Sequence, residues 1–406
     1  MTMTTMTENA IGTSRTALHG KPIAVLHYDL LGGGGAEVVA FAMIRALLES
    51  GAQVVVYSSS PDPEARAVLG KEFGPGTAIE YRKVETRYSG PVPKIARVLL
   101  FNEALSKLRF SEAAVINTYS EFWLRHPHPA TFAYIHFPIF GHSLQLQSEL
   151  RGLGVWTKSG VMGTAISSAV QLYLKASRAS FPKVLMTNSN WTARRIARLY
   201  GEAVVVQPPA SVSGFDSRAE EPPDRLLRVV SIGRLVPAKR IPWLAQQIDL
   251  VARRIGKRVE YHIIGRGESS YIQELRQSLS ALSSVDAVIH ADVSTAERNR
   301  VLRAADVGVH GFPCEHFGLA VAEMMASGIP VLTPRNGGLG EQLFESGQSY
   351  TDAEDFKQKL EQMLSDPALS MRLRSGNLKM SKEFSPESFS QKIVEVVGRE
   401  LQYSVL

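Results

Sequence analysis

The stretch "KPIAVLHYDLLGGGGAEVVAFAMIRALLESGAQVVVYSS", residues 21–59, joins two apolar runs through four glycines and a helical segment. The runs "IAVL" and "VVV" are continuous rather than alternating, as in strands covered on both faces of a parallel sheet. Strand, glycine loop, helix and second strand form one unit of a doubly wound α/β fold. The pattern continues in "AAVINT" (113–118), "ATFAYIH" (130–136) and "KVLMTNS" (183–189), with helical patterning between them.

The run "VVVQPPASVSGFDSRAEEPPDR" (204–225) then breaks the pattern with Pro, Ser and charge, and reads as a linker. After it the pattern restarts. "LRVVSIGRL" (227–235), "RVEYHIIGRG" (258–267), "DAVIHADV" (286–293), "ADVGVHG" (305–311) and "IPVLTPRNGG" (329–338) read as strands. "IPWLAQQIDLVARRIG" and "YIQELRQSLSAL" read as helices between them, and the tail is helical with breaks at Pro367 and Pro386. Two doubly wound domains are expected, with ligands at the carboxyl ends of their strands.

Bulk properties agree. At 406 residues the chain exceeds one ordinary core, and 44% hydrophobic with 21% charged residues is ordinary soluble composition. One cysteine, Cys314, excludes an internal disulfide and a cysteine-based zinc site, and fits a reducing compartment. A net charge of +6 suits nucleotide phosphates, nucleic acid or an acidic membrane, and equally a mildly basic solubilising surface. No aromatic-interleaved basic patch accompanies it, so no nucleic-acid partner is expected. Residues 1–20 lack the apolar core of a secretory signal and are expected to be disordered. The uncharged stretch Ser159–Leu174 is interrupted by Thr164, Ser167, Ser168 and Gln171. It falls short of the ~20 apolar residues of a membrane span.

Three features carry chemistry. The loop Gly32–Gly35 brings bare backbone to a helix N-terminus, as ligand-facing loops do, although a plain tight turn has the same composition. No G-x-G-x-x-G with an acid about 20 residues later is present, which argues against a dinucleotide. In "SIGRLVPAKR", Gly233 ends a strand, and Arg234 and Lys239 follow as a guanidinium fork and an ammonium suited to a diphosphate, or as two solvated surface cations. In "EHFGLAVAE", Glu315 and Glu323 stand eight positions apart, the second among Leu319, Ala320, Val321, Ala322, Met324 and Met325, where burial demands a partner.

"GRLVPAKR" (233–240), followed by "HGFPCEHFGLAVAEMMASGIPVL" (310–332) with the E-x7-E spacing, resembles the retaining glycosyltransferases of family 4. "GGAE" at 34–37 resembles that family's N-terminal loop. "YIHFP" (134–138), "TNSNWTARRI" (187–196), "VVVQPP" (204–209) and "EHFGLAVAEMMA" (315–326) look like the dolichol-pathway α-1,2-mannosyltransferases within it. The resemblance covers nearly the whole chain after residue 20.

It implies a GT-B fold: two Rossmann-like doubly wound domains facing across a cleft, with a C-terminal helix crossing back to the first. The first domain, 21–208 plus 386–406, would bind the acceptor, and the second, 209–385, the nucleotide sugar. Arg234 and Lys239 would hold the donor diphosphate and assist its departure, and Glu315 would bind sugar hydroxyls. Phe317, Gly318 and Leu319 would offer backbone N–H groups, and Glu323 would accept from the ribose. His136 matches the histidine facing the transferred sugar, although a satisfied core histidine is its other reading. His310, Gly233 and the loop Gly33, Gly34 and Gly35 would line the donor site. Gly337 and Gly338 in "NGGLGEQL" (336–343) would approach the donor, and Glu341 would cap or contact it.

The implied reaction transfers a hexosyl group with retention, and the leaving diphosphate takes the acceptor proton. No D-x-D motif occurs, so no metal and no cofactor are expected, the two cations standing in for Mg²⁺. GDP-mannose is the favoured donor, with UDP-sugars open, and the acceptor is a glycan, a lipid-linked glycan or a small molecule. The stretch "PVPKIARVLLFNEALSKLRF" (91–110) reads as an ordinary helix on the sheet or as a basic amphipathic helix on a membrane. Residues 159–174 read as a buried helix, an apolar acceptor groove or a membrane-facing patch. The expected location is cytoplasmic, with peripheral contact at the inner face of a membrane. A nucleotide-sugar epimerase or a non-catalytic nucleotide-sugar-binding protein of the same fold is the alternative.

Overall fold

The structure is a computed structural model that describes residues 18–86, 94–119, 124, 126, 128–138, 182–210 and 226–403. Residues 159–174, and 211–225 of the expected linker, lie outside the described residues, as do 1–17. The described residues divide into two compact units. Those between 18 and 209, with 386–403, form the first, and Ala210 with 226–385 forms the second.

The first unit is built on strands β1 (Pro22–Leu26), β2 (Gln53–Ser58), β3 (Ile79–Lys83), β4 (Ala114–Asn117), β5 (Thr131–Ile135), β6 (Val184–Thr187) and β7 (Val204–Val205). They lie in the order β3-β2-β1-β4-β5-β6-β7, every pair parallel. Central strands are apolar throughout because helices cover both faces. On one face the helix Gly35–Glu49 places Val39, Met43 and Leu47 in a core shared with Ile23, Val25, Phe132 and Tyr134. Phe389, Ile393 and Val397 of the last helix, Pro386–Tyr403, complete that core, so the C-terminus returns to the first unit.

On the other face lies the helix Lys94–Ser106, whose Val98, Phe101 and Leu105 are buried against Leu26, Val115 and Ile135. That apolar stripe therefore packs on the sheet, as an ordinary surface helix does. Among the described residues no helix is long and apolar enough to cross a membrane.

The second unit contains β8 (Leu227–Ile232), β9 (Val259–Gly265), β10 (Val285–Ala291), β11 (Val307–Val309), β12 (Val331–Pro334) and β13 (Ser349–Tyr350). Their order is β10-β9-β8-β11-β12-β13, again with every pair parallel. Leu244, Ile248 and Val251 of the helix Ile241–Ile255 close one face together with Phe356 and Leu360. Val321, Met324 and Met325 of the helix Leu319–Ala326 close the other with Phe317 and Phe384. Pro367 and Pro386 open the last two α-helices, because the first helical position needs no donor N–H. In both sheets the strand order reverses beside the first strand, between β1 and β4 and between β8 and β11. Ligand sites of doubly wound sheets form at such reversals.

Three strands and one helix carry no clear sequence signal. β3 is an edge strand whose "IEYRK" buries only Tyr81, and β7 and β13 are two residues each. β7 lies inside the stretch read as a linker: Val206 N–H donates to the Thr187 carbonyl at 2.7 Å, so "VVV" still belongs to the sheet. The helix Asp62–Phe73 buries only Ala65 and Leu69, too few to print a helical period.

Candidate active site

The second unit's site grows from the loops after β8 and β11, at the sheet's reversal. After Ile232 the chain turns through Gly233, at φ 151°, passes Arg234 and tightens into a 3₁₀ turn, Pro237–Lys239. Gly233, Arg234, Lys239, His310 and Gly311 line one small cavity there, and Arg234 is exposed. Lys239 Nζ donates to Glu315 Oε2 at 2.5 Å and lies 4.8 Å from the Phe312 ring centroid. The same Oε2 lies 3.0 Å from Nε2 of the buried His310. One carboxylate oxygen thus joins the two loops.

Burial works against the charge on Glu315, but Lys239 and the His310 hydrogen bond outweigh it and hold the carboxyl well below its usual range. Burial, reinforced by the Lys239 charge, lowers the His310 pKa, so the imidazole is neutral at pH 7. A neutral ring bonded to an ionised carboxylate must carry its proton on Nε2 and donate it. Tyr350 Oη donates to the His310 carbonyl at 2.9 Å and steadies the loop from β13.

Glu315 and Glu323 do not share a helix. Gly318, at φ 106°, caps the helix Leu319–Ala326 at its N-terminus, so Glu315 lies in an extended segment before it. Backbone pairing fixes that segment: Cys314 N–H donates to the Asn336 carbonyl at 2.6 Å, Gly338 N–H to that of Glu315 at 2.8 Å and Leu339 N–H to that of Phe317 at 3.0 Å. A Cβ at Gly337 would stand 2.8 Å from the Glu315 carbonyl oxygen, so only glycine permits this approach. Gly337 and Gly338, read from sequence as donor-facing, lie against the backbone that presents Glu315.

The Phe317 side chain is core, edge-to-face with Phe384 at 5.8 Å. The helix that begins at Leu319 has no side-chain N-cap, which leaves its first-turn N–H groups without that partner. Glu323 Oε1 accepts from Arg298 Nη1 at 3.4 Å. Burial raises the Glu323 pKa, with Arg298 opposing. Sequence reasoning missed Arg298: it lies in the helix Thr295–Ala304, 25 residues from its partner, and nothing local marks the pair.

In the first unit the glycine loop serves its own carboxylate. Gly34 N–H donates to Glu37 Oε2 at 2.6 Å, and a Cβ on Gly32 would lie 2.7 Å from Glu37 Oε1. Gly33 takes φ 61° between them, and Gly35 opens the helix. The ring of buried His27, just past β1, puts Nε2 3.5 Å from Glu37 Oε1 and Nδ1 2.9 Å from Thr118 Oγ1. Burial opposes the Glu37 charge, but His27 and the N–H groups of Glu37 and Gly34 lower its pKa to about 2. The bare backbone read as ligand-facing is therefore occupied by Glu37 at Gly34.

His136 follows β5, and its Nε2 lies 2.9 Å from the Thr118 carbonyl. The nearby Ser189 caps the helix Asn190–Tyr200 by accepting from Thr192 N–H, and Trp191 is buried.

Two parallel sheets of this order, a C-terminal helix returning to the first unit, and a Lys–Glu–His cluster with Arg234 at the second reversal define a class. The chain is a glycosyltransferase of the GT-B fold. Residues 227–366 match the family described as Glycosyl transferases group 1. The chain is similar to the Neurospora crassa GDP-Man:Man(3)GlcNAc(2)-PP-Dol alpha-1,2-mannosyltransferase, 25% identical over 95% of this chain and 82% of that protein. Among solved structures, sucrose-phosphate synthase from Thermosynechococcus elongatus superimposes with a TM-score of 0.67 at 16% identity, over 93% of this chain and 98% of that one. Anabaena HepE in complex with UDP and glucose does so with a TM-score of 0.60 at 14% identity, over 93% and 100%.

Proposed function

We propose that this chain transfers a mannosyl residue from GDP-mannose to a lipid-linked glycan acceptor, with retention of configuration and without a metal ion. The contact of Lys239 and His310 on one Glu315 oxygen, beside Arg234, carries the reading. The transferase names of the relatives set the epimerase and sensor readings aside, and their donor and acceptor supply the particular substrates.

In this reading the donor diphosphate binds Arg234 and Lys239, the guanidinium bidentate and the ammonium as a compact charge. Competition for Lys239 loosens its bond to Glu315, whose carboxylate turns to hydroxyls of the transferred sugar. Neutral His310 keeps donating to Glu315 and fixes its direction. As the glycosidic bond breaks, negative charge grows on the leaving diphosphate, where two preorganised cations meet it. The diphosphate takes the proton of the attacking hydroxyl on the same face, so no enzymatic nucleophile is required. Glu323 accepts from the ribose hydroxyls, with Arg298 sharing its charge. Phe317, Gly318 and Leu319 contribute through the uncapped helix start. The acceptor reading places the protein at the inner face of a membrane as a peripheral protein.

The test incubates the protein with GDP-mannose and UDP-sugars and with lipid-linked and water-soluble acceptors, and identifies products by mass spectrometry and anomeric NMR. Mannosyl transfer from GDP-mannose with an α-linkage supports the reading, and transfer only from a UDP-sugar overturns the donor assignment. Loss of activity with a chelator and its return with a divalent ion removes the metal-free scheme. Failure to sediment with anionic liposomes, together with full activity on a soluble acceptor, removes the membrane assignment. A His136→Ala variant probes the residue that the sequence resemblance assigns to the transferred sugar.

A further inference from the structure

The second unit holds another cavity, of about 550 Å³; Glu341, which the resemblance would place at the donor, lines this cavity and not the small one with Lys239 and His310. Arg240, Arg335, Glu341, Phe344 and Tyr350 are among its walls. Arg240 adjoins Lys239 in sequence, yet Lys239 lines the small cavity with His310 and Arg240 lines this one. The two cavities therefore lie on either side of one turn.

Both arginines rest on aromatic faces rather than on acids. The Arg240 guanidinium sits 4.3 Å from the Trp243 ring centroid, and Trp243 stacks on Tyr350 at 5.9 Å. The Arg335 guanidinium sits 3.6 Å from the Phe344 ring. Among the described residues neither guanidinium has a carboxylate within ion-pair distance. Stacking holds a guanidinium in place while leaving its in-plane N–H donors available. Arg240 also adopts φ 54°, a left-handed conformation disfavoured for L side chains, and such positions persist where their surroundings fix them.

We propose that this cavity binds a phosphorylated sugar. Each guanidinium fork can pair bidentately with the oxygens of a phosphate. Phe344, which is exposed, gives an apolar wall for a sugar ring, and Glu341 provides a carboxylate that accepts from hydroxyls. The volume lies within the range of roughly 300–1,000 Å³ typical of small-molecule sites. The ligand is either a free sugar phosphate or a phosphate-bearing part of the acceptor. The inference stands on this cavity and does not depend on the transferase reading.

The probe is mannose 6-phosphate, titrated calorimetrically against the full chain with GDP or UDP held in excess to fill the donor site; mannose is the control. The wild type binds the phosphorylated probe in the presence of the nucleotide and ignores mannose. Arg240→Gly, which suits the left-handed backbone, and Arg335→Gln each weaken binding about tenfold or more, while nucleotide affinity and melting temperature stay unchanged. Absence of binding once the nucleotide is present, or equal binding by the double variant, overturns the proposal. A rise in acceptor KM caused by the probe identifies the acceptor as the source, and a change in kcat at saturating acceptor identifies a free sugar phosphate. Probe binding in a protein that transfers no sugar would sink the proposed function and leave this site standing.

Discussion

Lys239 and Glu315, 76 residues apart in sequence, meet at 2.5 Å. The contact ties the loop after β8 to the loop after β11, so the sheet reversal is closed by an ion pair as well as by backbone. A pair that is only partly exposed holds its geometry against water, yet the ammonium can exchange one anion for another.

Glu315→Gln keeps the shape and removes the charge. It should lower kcat about 10²–10³-fold, the usual loss when one preorganised polar group is removed, and lower the melting temperature at pH 7, because the variant lacks the ionised carboxylate that Lys239 and His310 stabilise. Lys239→Ala should lower kcat by at least as much and also lower the melting temperature, because Glu315 then retains only His310. Steady-state kinetics and thermal melts read both, and near-wild-type rates for either variant would refute the assignment.

Acid should weaken the second unit in two steps. Burial and Lys239 place the folded His310 value below the ordinary 6.5, and Lys239 with His310 places that of Glu315 well below 4.5. In both cases the unfolded chain binds more protons, so the contribution is complete above the unfolded values and is lost as pH falls. Denaturant midpoints should decline first below pH 6.5 and then more steeply below 4.5. His310→Gln should flatten the first decline and leave the second; an unchanged profile would contradict the His310 shift.

Glu37 gives the first unit its own acid dependence. Its value falls from 4.5 to about 2, so its stabilisation is present above pH 4.5 and is lost between there and pH 2. The amount is on the order of 3 kcal/mol. Glu37→Gln should remove that dependence and loosen the Gly32–Gly35 turn, read as faster amide exchange at Gly34. Slow exchange in the variant would show that the turn holds without the carboxylate.

Arg298 and Glu323 should act on donor binding more than on the chemical step. Glu323→Ala is expected to raise the donor KM about tenfold with a smaller change in kcat, the signature of lost uniform binding. Arg298→Ala leaves Glu323 without its cation and should move its already raised pKa further up. Donor KM would then rise most at low pH, where the carboxyl is protonated. A kcat loss with unchanged KM would place Glu323 at the reacting centre instead.

The doubly wound units were legible because "IAVL", "VVV" and "RVVSI" are continuous apolar runs separated by helical patterns, and Pro367 and Pro386 mark helix starts. Short edge strands such as β7 and β13 were not legible, since two residues carry no period. At the site, Gly233, Arg234, Lys239, His310 and Glu315 are named by motif, and the structure gathers them at the second reversal. What sequence does not reveal is which group answers which. Four glycines looked like an opening for a ligand, yet Glu37, two residues past them, fills part of that opening. The same holds for Gly337, whose need for glycine arises from the backbone of Glu315, more than 20 residues earlier. Long-range backbone contact leaves no local signature, and neither does an arginine on a distant helix.

Cys314 donates its backbone N–H to Asn336 immediately before Glu315, and its side chain is fully buried. It is also the only thiol of the chain. The protein thus carries a built-in reporter at the base of its strap: a thiol reagent can react only when Pro313–Glu315 lifts away from Asn336–Gly338. The labelling rate with and without nucleotide sugar would measure how often that strap opens, residue-specifically and with no engineered probe.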